Sequence, residues 1–201
     1  MAEAASRPYR QVARAVATQD TQRRILVAFR EALLVRWMDE ITLDDVAAAA
    51  GTTRQTVIRM FGGKEGLLVA VADVMKDEIQ LARAVPPGAA PRAAARALVR
   101  DYETSGDIVI RILAQEQRHE ALTALLNIGR KCHRQWVEET FAPRLAKLPR
   151  GERTRRATQL VAATDVYVWK LLRHDFRHSM AEVEVLIAGM LSKLLKEENP
   201  Q

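Results

Sequence analysis

The stretch TLDDVAAAAGTTRQTVIRMF, residues 42–61, decides how the chain reads. Thr42 followed three residues later by Asp45 is a capping-box variant, with an acid beside the positive end of a helix. Val46, Ala47, Ala49 and Ala50 give that short helix a small-residue face that permits close packing. Gly51 ends it, because glycine enters the left-handed conformation that a sharp turn demands. Thr53 is placed to cap a second helix over residues 54–61, and Gly62-Gly63 stops it. Two short helices about a glycine turn, with Arg54, Gln55 and Arg59 outward on the second, have the anatomy of a helix-turn-helix. A B-DNA major groove admits one α-helix, where Arg suits guanine O6/N7 and Gln suits adenine N6/N7. The hydroxyls of Thr42, Thr53 and Thr56, the helix N-terminal amides and Lys64 suit phosphates, which set register without reading sequence. Val57 and Phe61, with the apolar side of Ile58 or Met60, are expected to face the domain core.

Upstream, Ile25, Ala28, Phe29, Ala32 and Leu33 recur with helical spacing, so an amphipathic helix is expected from Asp20 to about Arg36. Residues 1–19 read as a mobile basic arm. Arg7, Arg10 and Arg14 give it two roles, a solubilising tail or a minor-groove contact. Downstream, a helix is expected over 64–85, and Pro86-Pro87-Gly88 with Pro91 marks the strongest linker. Beyond it, helices are expected near 92–104, 107–119, 120–146, 153–176 and 180–197. The breaks are Ser105-Gly106, residues 118–120, Leu148-Pro149-Arg150-Gly151 and His178-Ser179. The fold class is therefore all-α: a three-helix helix-turn-helix domain over 20–79, then a larger helical ligand-binding and dimerisation domain over 80–201.

Composition narrows the function. With 48% hydrophobic and 28% charged residues, wholesale disorder is excluded. Cys132 is the sole cysteine, so neither an internal disulfide nor a thiolate zinc site can form. The absence of a leader-like or membrane-spanning apolar run points to a cytoplasmic protein with no membrane partner. The net charge is +6, yet residues 1–66 hold 10 Lys/Arg against 8 Asp/Glu, while residues 91–201 hold 19 against 14. Charge alone thus argues weakly for nucleic acid; the motif carries the case.

Those residues also carry a resemblance. Ile25-Leu26, Ala28-Phe29, Ile41-Thr42-Leu43-Asp44-Asp45-Val46-Ala47, Ala50-Gly51, Thr56-Val57 and Phe61-Gly62-Gly63-Lys64-Glu65-Gly66-Leu67 together resemble the DNA-binding domain of TetR-family regulators. The resemblance spans about residues 20–70 and implies a homodimeric repressor on a two-fold-symmetric double-stranded operator. It also implies a variable helical C-terminal domain that binds a small effector and thereby releases DNA. Three positions depart from the family pattern. Trp37 stands where a glycine commonly ends helix 1, and Ile58 and Met60 replace phosphate-contacting aromatic or histidine residues. These departures put more weight on Arg59, Lys64 and the N-terminal arm.

For the remaining chemistry-bearing residues, ordinary packing competes with a functional role. His174 and His178 have zinc-compatible spacing but no third ligand nearby, so a solvated face and no metal are expected. Cys132 and His133 are adjacent on a helix and point about 100° apart, which favours a core cysteine over a nucleophile. Asp165 lies in the apolar run LVAATDVYVW and, if buried, needs a partner: an arginine, a dimer-mate group or a cationic ligand. Tyr102, Trp136 and Tyr167, with Asp165, are candidates for lining an effector pocket, since aromatics offer area and a polar handle. Broad apolar faces near 153–176 and 180–197 suit a homodimer interface. No catalytic constellation or cofactor-binding motif emerges, which argues against an enzyme. The competing reading is an all-helical interaction or scaffold module without sequence-specific DNA binding.

Overall fold

A computed structural model describes residues 6–196, with side chains from Gln11 onward, and every regular element among them is helical. Contacts divide the chain into two units, Met1–Val74 and Met75–Gln201.

The N-terminal unit contains α1 (Ser6–Val35), a 3-10 turn (Met38–Glu40), α2 (Leu43–Ala49), α3 (Arg54–Phe61) and the first half of α4 (Lys64–Ala82). Ile25, Phe29 and Leu33 repeat every four residues on α1 and are sealed from solvent, as are Ile41, Val46, Val57, Leu67 and Leu68. Burying side chains of this size stabilises by about 1.5–3 kcal/mol each, which is what fixes such short helices. Helix α1 begins at Ser6 rather than at Asp20. Residues 11–20 are all exposed, so burial does not extend it. The alanines and arginines of that segment are among the strongest helix formers, and propensity suffices to continue a helix already nucleated. Residues 1–5 and the side chains of Arg7 and Arg10 lie outside the described residues, while Arg14 is exposed.

The C-terminal unit follows α4 with α5 (Pro91–Leu113), a 3-10 turn (Glu116–Arg118), α6 (Glu120–Thr140), α7 (Ala142–Leu145) and α8 (Arg150–Ala163). Then come α9 (Val166–Lys170), which runs on as a π turn (Leu171–Asp175), and α10 (Met180–Leu194). Ala94, Leu98 and Val99 of α5 meet Val183, Ile187 and Leu191 of α10 in one core with Val137, Leu160 and Trp169. Two expectations are corrected here. The Ser105-Gly106 break is absent, and α5 runs unbroken to Leu113. Gly106 serves close packing instead, since a Cβ there would stand 2.4 Å from Trp169 Cζ3. Conversely, the single helix expected over 153–176 is interrupted at Thr164–Asp165. The Thr164 hydroxyl donates to the Leu160 carbonyl at 2.7 Å, and Asp165 caps α9 by accepting from the Tyr167 amide at 2.9 Å.

Candidate nucleic-acid interface

Helix α2 starts from a complete capping box. Thr42 Oγ1 accepts from the Asp45 amide at 3.1 Å, and Asp45 Oδ2 accepts from the Thr42 amide at 3.2 Å. Thr42, then Arg36 at 2.9 Å, hold the Asp45 carboxyl below the usual carboxylate range. The turn follows at Gly51, with φ 62°. Arg24 sits against it and donates to the Ala50 carbonyl, closing the end of α2. Thr53 Oγ1 then caps α3 by accepting from the Thr56 amide at 3.2 Å. Each end of the turn is therefore held by a donor–acceptor pair, and Val46 and Ala47 of α2 and Val57 of α3 are buried.

The outcome is a short helix with two distinct faces. Val57 is fully buried, while Arg54, Gln55, Ile58 and Arg59 form a contiguous exposed face. Phe61 and Met60 are half-buried at the edge. Of the predicted contacts, Thr53, Arg54, Gln55 and Arg59 are brought together, and Thr42 is exposed at the start of α2. Arg54 lies 3.4 Å from Asp44, both side chains being well exposed, so the pair is worth little and releases readily. Thr56 is half-buried, and its hydroxyl meets Thr53 Oγ1 at 3.0 Å. Lys64 is half-buried too, its Nζ donating to the Met38 carbonyl at 2.8 Å. Ile58, expected to turn its apolar side to the core or merely to leave a contact unmade, is 41% exposed at the centre of the face. Its place beside Arg54 and Arg59 at helical spacing was the available signal. Trp37 has φ −71°, extended backbone open to any residue, so nothing there requires glycine. Glycine is required at position 66, where a Cβ would stand 1.7 Å from the Phe61 carbonyl oxygen.

The C-terminal candidates are arranged differently from expectation. Asp165 is a half-exposed helix cap rather than a buried charge, and Tyr167 is 56% exposed. The buried carboxylate is Asp101. It receives Arg83 Nε at 2.6 Å and the Ser105 hydroxyl at 2.9 Å. Arg83 Nη1 also donates to His133 Nδ1 at 3.0 Å, which leaves the imidazole proton on Nε2, 3.1 Å from Thr164 Oγ1. Tyr102 is buried, its hydroxyl donating to the Thr164 carbonyl at 2.9 Å, and Trp136 Nε1 donates to the Arg83 carbonyl at 2.9 Å. Desolvation, then the neighbouring Arg83 charge, push His133 down to about 4. Burial raises Tyr102 to about 12. Tyr102 and Trp136 thus flank one polar network, whereas Asp165 and Tyr167 stand outside it. The two surface histidines go separate ways, His174 to Asp107 at 3.0 Å and His178 to Glu182 at 3.9 Å. No helix of the described residues is long and apolar enough to cross a membrane.

Comparison with known proteins agrees with this geometry. Residues 25–71 match the sequence model of the family described as bacterial regulatory proteins, tetR family. The HTH-type transcriptional regulator AlkX of Mycobacterium tuberculosis is 39% identical over 72 residues, covering 36% of this chain and 32% of AlkX. The match therefore spans about a third of that curated relative's length. A transcriptional regulator from Rhodococcus sp. Rha1 shares the fold with TM-score 0.67 at 16% identity, over 86% of this chain and 95% of that one. The SmeT–triclosan complex shares it with TM-score 0.65 at 16% identity, over 90% and 99%.

Proposed function

We propose, on the premise that residues 25–71 are a DNA-binding domain of the TetR family, that the chain is a sequence-specific transcriptional regulator. It works in the cytoplasm as a homodimeric repressor, and a small molecule bound by the C-terminal unit releases it from its operator. The observation that carries this reading is the exposed face of α3, backed by a fully buried Val57. In this reading Arg54 and Arg59 take guanine edges and Gln55 adenine, while Ile58 meets a thymine methyl. Thr42 and Thr53 hydroxyls and the remaining Lys64 donors take phosphates. An enzyme is a poorer description, since the family consists of regulators.

A two-fold dimer would place two such helices in half-sites about 34–36 Å apart. Exposed Tyr167, Leu171, Val185 and Leu186 on the last helices supply apolar area for that interface. The neighbouring SmeT structure contains triclosan, which supports small-molecule control within this fold. Arg83 immediately follows α4, the helix that leaves the DNA-binding unit, and is tied to α5 and α6 through Asp101 and His133. An effector that favours one arrangement of this network over another would shift the population of DNA-competent molecules. Tyr102 and Trp136, which flank the network, remain the proposed effector contacts, with Asp165 and Tyr167 nearer the surface.

In vitro selection of DNA by the purified protein, followed by affinity against salt, tests the reading. The expected result is a two-fold-symmetric site bound about 10³-fold more tightly than random DNA. Weak, sequence-blind binding with a steep salt slope would replace the regulator with an interaction module.

A further inference from the structure

The C-terminal unit holds a cavity that the regulator reading does not use. A pocket of about 250 Å³ lies where α7, α8 and the end of α10 meet. Its lining is of two kinds only: the cations Arg144, Lys147, Arg156 and Lys196, and four leucines. Among the described residues no carboxylate side chain lines it. Arg156 is buried and already engaged, donating to the Leu194 carbonyl, to the Lys196 carbonyl at 3.4 Å and to Glu152 Oε1 at 3.3 Å. It thereby covers the terminal carbonyls of α10, whose partial negative charge would otherwise repel an anion. Arg144 is the opposite case. Its Nη1 is buried and has no hydrogen-bond partner among the described residues. A cationic donor withdrawn from water without an acceptor is costly, and an acceptor delivered to it relieves that cost.

We propose that this pocket binds a small amphiphilic carboxylate, with its head on Arg144 and its alkyl chain against the leucines. A guanidinium fork matches a carboxylate in two parallel hydrogen bonds, and Lys147 and Lys196 add charge at the mouth. The volume is below the roughly 300–1,000 Å³ that hold drug-sized ligands. It equals about eight water volumes, so the ligand has on the order of 8–10 non-hydrogen atoms. A medium-chain fatty carboxylate has that size and polarity. Glu197 and Glu198 follow Lys196 directly in sequence and carry the same head group. The carboxylate therefore comes either from a free ligand or from the glutamates that follow Lys196 in sequence.

Calorimetric titration of the full chain with octanoate, 1-octanol and inorganic phosphate tests this without reference to DNA. Octanoate is expected to bind once per chain, at least tenfold more tightly than either the neutral isostere or phosphate. Arg144→Gln is expected to weaken it tenfold or more with the melting temperature unchanged, because no hydrogen bond of Arg144 Nη1 is lost. Lys196→Gln, at an exposed helix end, is expected to weaken it severalfold and guards against a folding artefact. Octanoate binding that appears only in Glu197→Gln/Glu198→Gln would assign the carboxylate to the chain itself and sustain the site. Equal octanoate affinity in wild type and Arg144→Gln, phosphate binding as tight as octanoate, or no octanoate binding in any protein would overturn the proposal.

Discussion

The two units solve the problem of polar groups in opposite ways. All seven buried polar or charged residues among those described, from Arg83 to Thr164, belong to the C-terminal unit. The N-terminal unit has an apolar interior and keeps its polar pairs toward the surface, at helix ends in Thr42 with Asp45 and Thr53 with Thr56, and along α1 in Asp20 with Arg23 and Arg24. Its two longer reaches, Arg24 to Ala50 and Lys64 to Met38, also end on carbonyls at the ends of helical elements. Capping pairs fix direction without mutual dependence, and each contributes about 1 kcal/mol. The C-terminal network ties α5, α6 and α8 through shared donors and acceptors, so its members stand or fall together. The proposed function would use both: locally capped helices to present a DNA-reading face, and a coupled polar interior through which a ligand could act.

The sharpest way to break this contrast is to remove one member of the buried pair. Arg83→Met should destabilise the protein by about 3–5 kcal/mol in denaturant titration, because the buried Asp101 charge is left with the Ser105 hydroxyl and no cation. The double change with Asp101→Leu should recover most of that loss. A single-variant cost below about 1 kcal/mol would erase the distinction between the units. Acid comes next. His133 is held near 4, below its ordinary 6.5. The unfolded chain therefore binds a proton first as pH falls. Its contribution is complete above about pH 6.5 and is lost on acidification toward pH 4, amounting to about 3 kcal/mol. Stability followed from pH 7 to pH 4 should show that decline, and His133→Gln should flatten it. Asp45, whose pKa is lowered from 3.8, contributes in a different window and loses its part only below that value.

Smaller effects sharpen the other side. Arg59→Ala should weaken binding to a selected site by about 1–3 kcal/mol and leave thermal unfolding unchanged, as measured by fluorescence anisotropy beside calorimetry. Thr53→Ala, which removes the α3 cap, should cost about 1 kcal/mol of stability. A much larger loss there would mean that the caps of the N-terminal unit are coupled after all.

The same contrast explains what the sequence could reveal. Thr42, Asp45, Gly51 and Thr53 act on neighbours within a few positions, so the limits of α3 and the Arg54–Gln55–Arg59 face were legible directly. The network joins residues 18, 50 and 62 positions apart, at Arg83–Asp101, Arg83–His133 and Tyr102–Thr164. No local pattern marks such pairs. Asp165 therefore drew notice as an acid in an apolar run, while Asp101, beside Arg100 and Tyr102 in a mixed segment, did not. Gly106 misled for a related reason: its partner, Trp169, lies 63 positions away in sequence.

Gly66 carries a consequence for genetics. With the Phe61 carbonyl only 1.7 Å from where any Cβ would stand, every substitution there displaces the start of α4. If the chain is the proposed repressor, a selection scored by repression alone would make position 66 look as indispensable as Arg59, although glycine offers no side chain to a base. Counting folded protein alongside repression separates the two. Variants at 66 vanish from the soluble pool, whereas variants at 59 accumulate there and are silent only at the promoter.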